Sequence, residues 1–251
     1  MDELDLTTAL VALAVAVASG FLSGLSGFGA GLMQSAFLVP VLGAKPTVAL
    51  LAVAMIVTNL GRIHAFATWP DWRRAAFVLA GAIPAMAPCA WLLARISDAL
   101  AGLIVAFALL SSLALRRITH RAQWHVGPRG LTAGGAVVGG VSGLSTGGGV
   151  MIIPLLLATG LGGAALIATD AAISLNLHIA RSIAFQRFDL LDLRLFGLGI
   201  ALGIATIPGS WIAARLVRRA GTERHAVALA LLVVIVAVSI AVSSLWRLIN
   251  G

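Results

Sequence analysis

The sequence predicts an all-α polytopic membrane protein built from two related halves, and three observations support this fold class. Of the 251 residues, 60% are hydrophobic and only 10% are charged, with a mean hydropathy of +1.06, whereas about a quarter of the residues in soluble domains are charged. The chain contains ten apolar segments, several long enough to cross a hydrocarbon layer of ~30 Å as helices. Motifs of the first five segments return in the last five.

The apolar segments fall into two sets of five, separated by a polar and basic stretch. They cover residues 6–26, 28–43, 46–67, 74–94, 98–115, 131–145, 147–160, 163–186, 190–214 and 226–247. We therefore assign residues 1–115 to a first transmembrane repeat, residues 116–129 to a basic linker and residues 130–251 to a second transmembrane repeat. The second segment of each set has only about 14–16 residues, which is short for a full span and typical of a re-entrant or broken helix.

Two glycine-rich motifs occupy equivalent places in the two halves. The first is Ser23-Gly-Leu-Ser-Gly-Phe-Gly-Ala-Gly31, and the second is Ser142-Gly-Leu-Ser-Thr-Gly-Gly-Gly149. Further on, a proline, a tryptophan and an arginine repeat with the same spacing, as Pro88, Trp91 and Arg95 and then as Pro208, Trp211 and Arg215. Two related halves that each begin with a glycine-broken apolar segment are typical of secondary transporters.

The positive charges predict how the two halves are oriented. If the first two segments of each half form a glycine-broken hairpin or two full crossings, each half crosses the membrane an odd number of times, and the repeats have inverted topology. Ten arginines then lie on one side: Arg73, Arg74, Arg116, Arg117, Arg121, Arg129, Arg215, Arg218, Arg219 and Arg224. The positive-inside rule makes this side cytoplasmic, with both termini outside the cytoplasmic (inner) membrane. Because these loops account for the net charge of +8, we expect no nucleic-acid partner.

The glycine breaks predict a site for an anion. Inside a bilayer, irregular backbone is tolerated only against protein or a water-filled cavity. The short helix that follows each break presents free N–H groups and the positive end of its dipole. The candidate binding residues of the motifs are Ser26, Gly27, Gly29, Gly31, Ser145, Thr146, Gly147, Gly148 and Gly149. The alternative is that the glycines only allow tight helix packing.

Polar residues in the third segment of each half are further candidates for binding the anion. Arg62 and Arg181 offer the permanently charged, bidentate donors that an oxyanion favours, or else they extend to the lipid headgroups. Asn59 and Asn176, which we match between the halves, are candidate ligands, or else they bridge helices by hydrogen bonds. All four side chains are costly in lipid and are expected to face the bundle interior.

Two titratable residues on the second of these segments are candidates for proton coupling. Asp170 and His178 lie on one stripe of the predicted helix, together with Arg181. The cysteine and histidine residues do not have zinc-ligand spacing, so we expect no metal and no other cofactor. Cys89 is the lone cysteine, which excludes an intrachain disulfide.

The two glycine motifs, each leading to a proline at Pro40 or Pro154, resemble the paired signatures of the sulfite exporter (TauE/SafE-type) family of membrane permeases. The resemblance covers essentially the whole chain, and the first copy departs from it by reading Gly29-Ala-Gly31 in place of three glycines. It implies an alternating-access permease, not an enzyme, that moves small sulfur-containing anions such as sulfite, thiosulfate or organosulfonates across the cytoplasmic membrane.

Two other functions fit parts of the sequence. An anion channel would use the same pore chemistry. An intramembrane serine protease could use Ser26 in Gly24-Leu-Ser26-Gly27 with His64 or His178 as base, but the second copy reads Gly-Leu-Ser-Thr, and a protease has no need of a duplicated architecture. We expect the lipid bilayer as a further partner. A second copy of the chain is an alternative for the same surface, because an apolar helix face suits either.

Overall fold

The computed structural model describes residues 6–26, 30–66, 70–107, 111, 126–146, 148–220, 238, 241–242 and 244–246. Within these residues every regular element is an α-helix. The helices used below are α1 (Leu6–Ser26), α2 (Ala30–Leu42), α3 (Ala44–Phe66), α4 (Trp72–Arg95), α5 (Asp98–Phe107), α6 (Pro128–Leu144), α7 (Gly149–Leu157), α8 (Gly163–Arg187) and α9 (Leu193–Ala220).

The helix bounds agree with the predicted apolar segments to within a few residues at most ends. Helix α1 coincides with the predicted segment 6–26, and α8 ends one residue later than predicted. Helix α9 continues to Ala220, well beyond the predicted end at residue 214. The helix propensity of arginine is as high as that of most apolar residues, so the arginines after residue 214 do not end the helix. Most of the predicted linker and of the predicted segment 226–247 lies outside the described residues.

Three helical stretches in the described ranges are long and apolar enough to cross a bilayer: Ala44–His64, Trp72–Arg95 and Leu193–Ala213. Shorter apolar stretches are Leu10–Gly24, Ala30–Leu42 and Asp98–Phe107. Helix α8 has 25 residues but is not in the first group, and it carries Asp170, His178 and Arg181. These findings confirm an all-helical chain with long apolar helices.

A glycine and an aspartate fix the turn between α2 and α3. Gly43 has a φ of +92°, a conformation that residues with a side chain rarely adopt. The Asp98 carboxylate accepts hydrogen bonds from the backbone N–H groups of Ala44 and Lys45, at 3.1 and 2.8 Å. A carboxylate at this place satisfies free donors at the start of α3 and favours its dipole. The start of α5 is thereby joined to the start of α3.

Each glycine-rich motif lies at a bend where a short helix turns back along the helix before it. In the first half, the Gln34 amide of α2 donates to Ser19 of α1 at 2.8 Å, although a continuous helix would separate these residues by ~22 Å. In the second half, the Val126 N–H before α6 donates to the Ala158 carbonyl after α7 at 2.9 Å. The two glycine motifs therefore occupy the bends of two helical hairpins.

The pattern of helix packing is the same when the two halves are exchanged. Helix α4 packs most extensively against α6, and α1 packs against α9. Helix α3 packs against α8 and α9, and α8 packs against α3 and α4. Exchanging each helix of α1–α4 with the corresponding helix of α6–α9 converts the α4–α6 pair into the α1–α9 pair, converts the α3–α9 pair into the α4–α8 pair and leaves the α3–α8 pair unchanged. The two most extensive pairings, α4 with α6 and α1 with α9, thus join helices from different halves. Helices α3 and α8 pack against each other and against these pairs.

Glycines allow the backbones in these two pairings to touch. A Cβ atom on Gly20 of α1 would overlap the Thr206 carbonyl oxygen of α9. In the other pairing, a Cβ atom on Gly139 of α6 would overlap the Ala82 carbonyl oxygen of α4. Small residues that bring backbones together are the usual basis of helix association in lipid, where apolar side chains gain little by leaving the acyl chains.

Candidate functional site

A cavity of about 50 Å³ lies where the two glycine bends meet the middles of α3 and α8. About 10–15 Å³ of such space holds one water molecule, so the cavity can take a few waters or a small polyatomic anion. Its wall includes apolar residues such as Leu51 and Met55. The polar residues that line it are Ser23, Thr58, Asn59, Arg62, Thr146, Ser174, His178 and Arg181.

The first residues of two helices border this cavity from different halves of the chain. Helix α2 contributes Ala30 and Gly31, and helix α7 contributes Gly149 and Val150. The N–H groups in the first turn of a helix have no intrahelical partner, and the helix start carries a partial charge of about half a proton. Gly148, which precedes α7, provides no side-chain cap for these donors. The cavity is therefore electropositive on two sides.

The glycines of the motifs have two different roles. Gly24 and Gly143 lie in helix contacts, because an added Cβ would come within 2.6 Å of Ala213 Cβ and of the Met86 carbonyl oxygen, respectively. A Cβ on Gly149, in contrast, would meet no atom within 4 Å. The packing interpretation of the motifs is therefore correct for Gly24 and Gly143, whereas Gly149 leaves backbone open to the cavity.

Arg62 forms a buried ion pair that joins the two halves. Its Nη2 donates to Asp170 Oδ2 at 2.8 Å, and the two side chains are 4% and 1% exposed. Its Nη1 donates to Asn59 Oδ1 at 2.9 Å, and the Asn59 amide donates in turn to the Met55 carbonyl oxygen. Arg62 does not extend to the surface, and a carboxylate of α8 balances its charge.

Arg181 is buried without a carboxylate partner among the described residues. The residue is 1% exposed, and its Nη2 donates to the Val48 carbonyl oxygen at 2.8 Å. Its guanidinium lies over the Phe185 ring, at 5.1 Å from the centroid, in a cation–π contact. No carboxylate of the described residues lies within ion-pair distance of it. A buried charge without a counter-charge is strongly unfavourable, so an anion in the cavity would stabilise this arrangement.

Several ionisable side chains at the cavity have buried polar atoms without a hydrogen-bond partner among the described residues. These atoms are Arg62 Nε, Arg181 Nε, Asp170 Oδ1 and His178 Nδ1. A buried polar atom that makes no hydrogen bond costs about 1–3 kcal/mol. The two Nε–H groups are donors for an oxyanion, and the Asp170 and His178 atoms can bond to water or hold a proton.

The structure brings many of the predicted site residues together. Those that line the cavity are Gly31, Asn59, Arg62, Thr146, Gly149, His178 and Arg181. Asp170 lies behind Arg62, Ser145 donates to the Val141 carbonyl oxygen at 3.0 Å, and Gly148 packs against Ser142. Asn176 is not among the lining residues, and its amide donates to the Ala172 carbonyl oxygen at 2.8 Å. Gly27, Gly29, Gly147 and the side chain of Ser26 lie outside the described residues.

The residues that line the cavity relate the two halves by a sequence offset that differs from the one predicted for Asn59 and Asn176. Lining residues pair at a separation of 119 positions, as Arg62 with Arg181 and Asn59 with His178. The same separation joins the first serines of the two glycine motifs. Matching Asn59 to Asn176 is therefore two positions out of this register. Applying the offset between the two glycine motifs to the rest of the chain would have predicted from the sequence that Arg62 corresponds to Arg181.

Two hydroxyl contacts were not predicted. Ser35 of α2 and Thr146 of the second glycine motif lie with their oxygens 2.9 Å apart. Thr58 of α3 and Thr206 of α9 lie with theirs at the same distance. Serine and threonine are common in transmembrane helices, where they bond to their own backbone, so these pairings leave no signal in the sequence.

The comparisons with known proteins agree with this architecture. A family model described as Sulfite exporter TauE/SafE matches residues 12–240. Comparison with curated proteins and with solved structures finds no match. Among the described residues, no group of three His, Cys, Asp or Glu side chains could hold a metal ion. Both glycine motifs and the whole cavity lie within the matched range, and the chain belongs to the sulfite exporter TauE/SafE family of multi-pass membrane transporters, as the motifs predicted.

Proposed function

We propose that the chain is a secondary carrier that binds a small sulfur-containing anion in the cavity and moves it across the cytoplasmic membrane by alternating access. The observation that carries this proposal is Arg181, a buried guanidinium without a carboxylate partner among the described residues, beside a cavity bordered by two helix starts. Sulfite, thiosulfate and organosulfonates, the anions that the family resemblance implies, are its candidate substrates.

The donors around the cavity suit an oxyanion. Arg181 Nε–H has no partner among the described residues, the first turns of α2 and α7 present backbone N–H groups, and Ser174 adds a hydroxyl donor. A pyramidal or tetrahedral oxyanion spreads its charge over three or four oxygens, so it can accept from several directions at once. Hydrogen bonds from charged donors to such oxygens are about twice as strong as neutral ones.

Inverted-topology repeats would explain the packing pattern and provide the moving parts. The exchange symmetry of the helix pairings supports two repeats of the same fold, and the arginine distribution supports opposite orientations. The tight backbone contacts join α1 to α9 and α4 to α6. Each rigid body would therefore combine helices from both repeats and rock around α3 and α8.

Proton coupling is a further part of the proposal. Asp170 binds Arg62 through Oδ2 and leaves Oδ1 without a partner among the described residues. His178 lines the cavity two turns further along α8. A carboxylate that is bonded to arginine in one conformation and released in the other can carry a proton across the membrane. Uptake of an anion into a cell with an inside-negative potential would need such coupling, because the potential opposes the entry of negative charge.

The test is anion flux into proteoliposomes with a matched pair of variants. We expect the wild type to move sulfite, thiosulfate or a small organosulfonate with saturation, and acetate poorly. Arg181→Gln should lower the flux by at least about tenfold, since the uncompensated charge is lost. Arg187→Gln removes the same charge from the exposed end of the same helix and should leave the flux unchanged. Equal fluxes in the two variants would contradict the proposal.

A further inference from the structure

We propose that Asp170 is a built-in counter-anion that sets the charge selectivity of the cavity, so that the site prefers a singly charged oxyanion to a doubly charged one. This inference rests on the proposed function and concerns the class of anion. It follows from the number of charges that are buried, from how they are paired, and from what occupies the equivalent position in the other half.

The described part of the chain buries three charged side chains, Arg62, Asp170 and Arg181. Two of them neutralise each other, because Arg62 and Asp170 form an ion pair at 2.8 Å. Among the described residues the third, Arg181, bonds only to the neutral Val48 carbonyl oxygen and the face of Phe185. The side-chain charges at the site therefore sum to one positive charge, which a single negative charge balances, and the two helix starts add only partial charges that attract any anion.

The pairing also decides what a second negative charge would meet. Arg62 already donates one N–H of Nη2 to Asp170 and one N–H of Nη1 to Asn59, and its Nε–H has no partner among the described residues. An anion that engages Arg62 therefore binds a guanidinium whose charge Asp170 already balances. The second charge of a dianion would thus meet an arginine that Asp170 already neutralises, and the Asp170 carboxylate behind it would repel that charge. At an effective dielectric constant of about 20, one such repulsion weakens binding roughly tenfold to a hundredfold.

The repeat register gives an independent argument that the shared fold of the two halves does not require an acid at this position. The position that lies 119 residues before Asp170 is Leu51, which is fully buried and lines the same cavity. Both halves keep the arginine, at Arg62 and Arg181, but only one half supplies a carboxylate. The architecture therefore packs an apolar side chain at this place in one repeat and a charge in the other, so the charge is a specific feature of the site.

The experiment measures the affinity of the purified full-length protein for methanesulfonate and for sulfate. The two are tetrahedral anions of similar size that differ by one negative charge. Isothermal titration calorimetry is done at pH 8 and constant ionic strength, where a histidine with the ordinary pKa near 6.5 is neutral. We expect the wild type to bind methanesulfonate at least about tenfold more tightly than sulfate.

Two variants should move this ratio in opposite directions. Asp170→Asn leaves two positive charges at the site and should shift the ratio toward sulfate by at least about tenfold. Arg62→Gln leaves Asp170 opposite Arg181 and should shift it toward methanesulfonate. Asp189→Asn is the matched control, because Asp189 is an exposed acid with a φ of +57°, which asparagine tolerates.

The possible results separate this proposal from the one on which it rests. Wild-type protein that binds sulfate as tightly as methanesulfonate overturns the charge selectivity and leaves the carrier proposal intact. The same conclusion follows if Asp170→Asn or Arg62→Gln changes both affinities by the same factor, since a merely structural role has that effect. Wild-type protein that binds neither anion overturns both proposals. The wild-type measurement and Arg62→Gln keep the test decisive if Asp170→Asn does not fold.

Discussion

The guanidinium of Arg62 on α3 and the carboxylate of Asp170 on α8 lie 2.8 Å apart and join the two halves of the chain beside the cavity. Neither side chain is more than 4% exposed. Both groups of a buried ion pair lose their hydration, so each charge is tolerated only because the other is present. Removing one partner leaves the other charge buried without compensation and destabilises the protein.

This pairing predicts a non-additive effect on stability. Asp170→Leu and Arg62→Met should each lower the free energy of unfolding by about 3–5 kcal/mol, because each leaves an uncompensated buried charge. The double variant Arg62→Met/Asp170→Leu should be much closer to the wild type. Thermal unfolding of the purified protein in detergent measures this cycle. Single-variant effects that simply add in the double variant would show that the two groups do not interact.

Glycines in the helix contacts and the open Gly149 of the second motif predict different responses to an added methyl group. Gly139→Ala places a Cβ on the Ala82 carbonyl oxygen and should destabilise the protein by about 1–3 kcal/mol, as overpacking does. Gly149→Ala meets no atom within 4 Å and should leave the unfolding temperature unchanged. Gly197→Ala on α9, which also meets nothing, is the control. A loss of stability in Gly149→Ala equal to that in Gly139→Ala would contradict the assignment.

The start of α4 predicts a pH-dependent contribution from Asp71. The backbone N–H of Arg74 donates to the Asp71 carboxylate at 2.9 Å, and this hydrogen bond, with the Arg74 guanidinium beside it, holds the pKa of Asp71 below its ordinary value of 3.8. A lowered pKa in the folded state stabilises the protein above the ordinary value and loses that effect as the pH falls through the folded one. Asp71→Ala should therefore cost about 0.5–2 kcal/mol at pH 7.

The check is the difference in unfolding temperature between the wild type and Asp71→Ala, followed from pH 7 down to pH 2.5. The difference should shrink at the acid end. A difference that stays constant over the whole range would mean that Asp71 acts through its shape and not through its charge.

The proposed topology predicts which exposed residues are reached from each side of the membrane. In a Cys89→Ser background, Arg73→Cys and Arg129→Cys should react with a membrane-impermeant maleimide only from the cytoplasmic side. Asp189→Cys should react only from the outside. All three residues are exposed. Labelling of Arg73→Cys and Asp189→Cys from the same side would contradict the inverted orientation of the two halves.

Much of the fold could be predicted because its determinants are local. A run of apolar residues long enough to cross a bilayer is stable there as a helix, so the bounds of α3 and α4 could be predicted to within two residues. The glycine bends were also predictable, since clustered glycines weaken the interior of a helix. The close pairing of α1 with α9 and of α4 with α6 was not, because it depends on which glycine faces meet across the chain.

Part of the site could also be predicted, because some of its features are visible in the local sequence. Arg181 and the start of α7 stand out as charge and irregular backbone in an apolar setting. That Asp170 pairs with Arg62 of α3, which leaves Arg181 of its own helix without a carboxylate partner among the described residues, could not be foreseen, because the local sequence does not show which helices pack together. Only the packing of α3 against α8 brings Asp170 to Arg62. The selectivity we infer depends on that difference.

The most direct test of the carrier proposal is counterflow in proteoliposomes at a fixed membrane potential and pH. Vesicles loaded with unlabelled sulfite or a small organosulfonate receive a trace of labelled anion outside. A carrier with one alternating site predicts transient accumulation of label above its equilibrium level, saturating with concentration and lost in Arg181→Gln. Monotonic equilibration without overshoot, at a rate proportional to concentration, would contradict alternating access and indicate a channel.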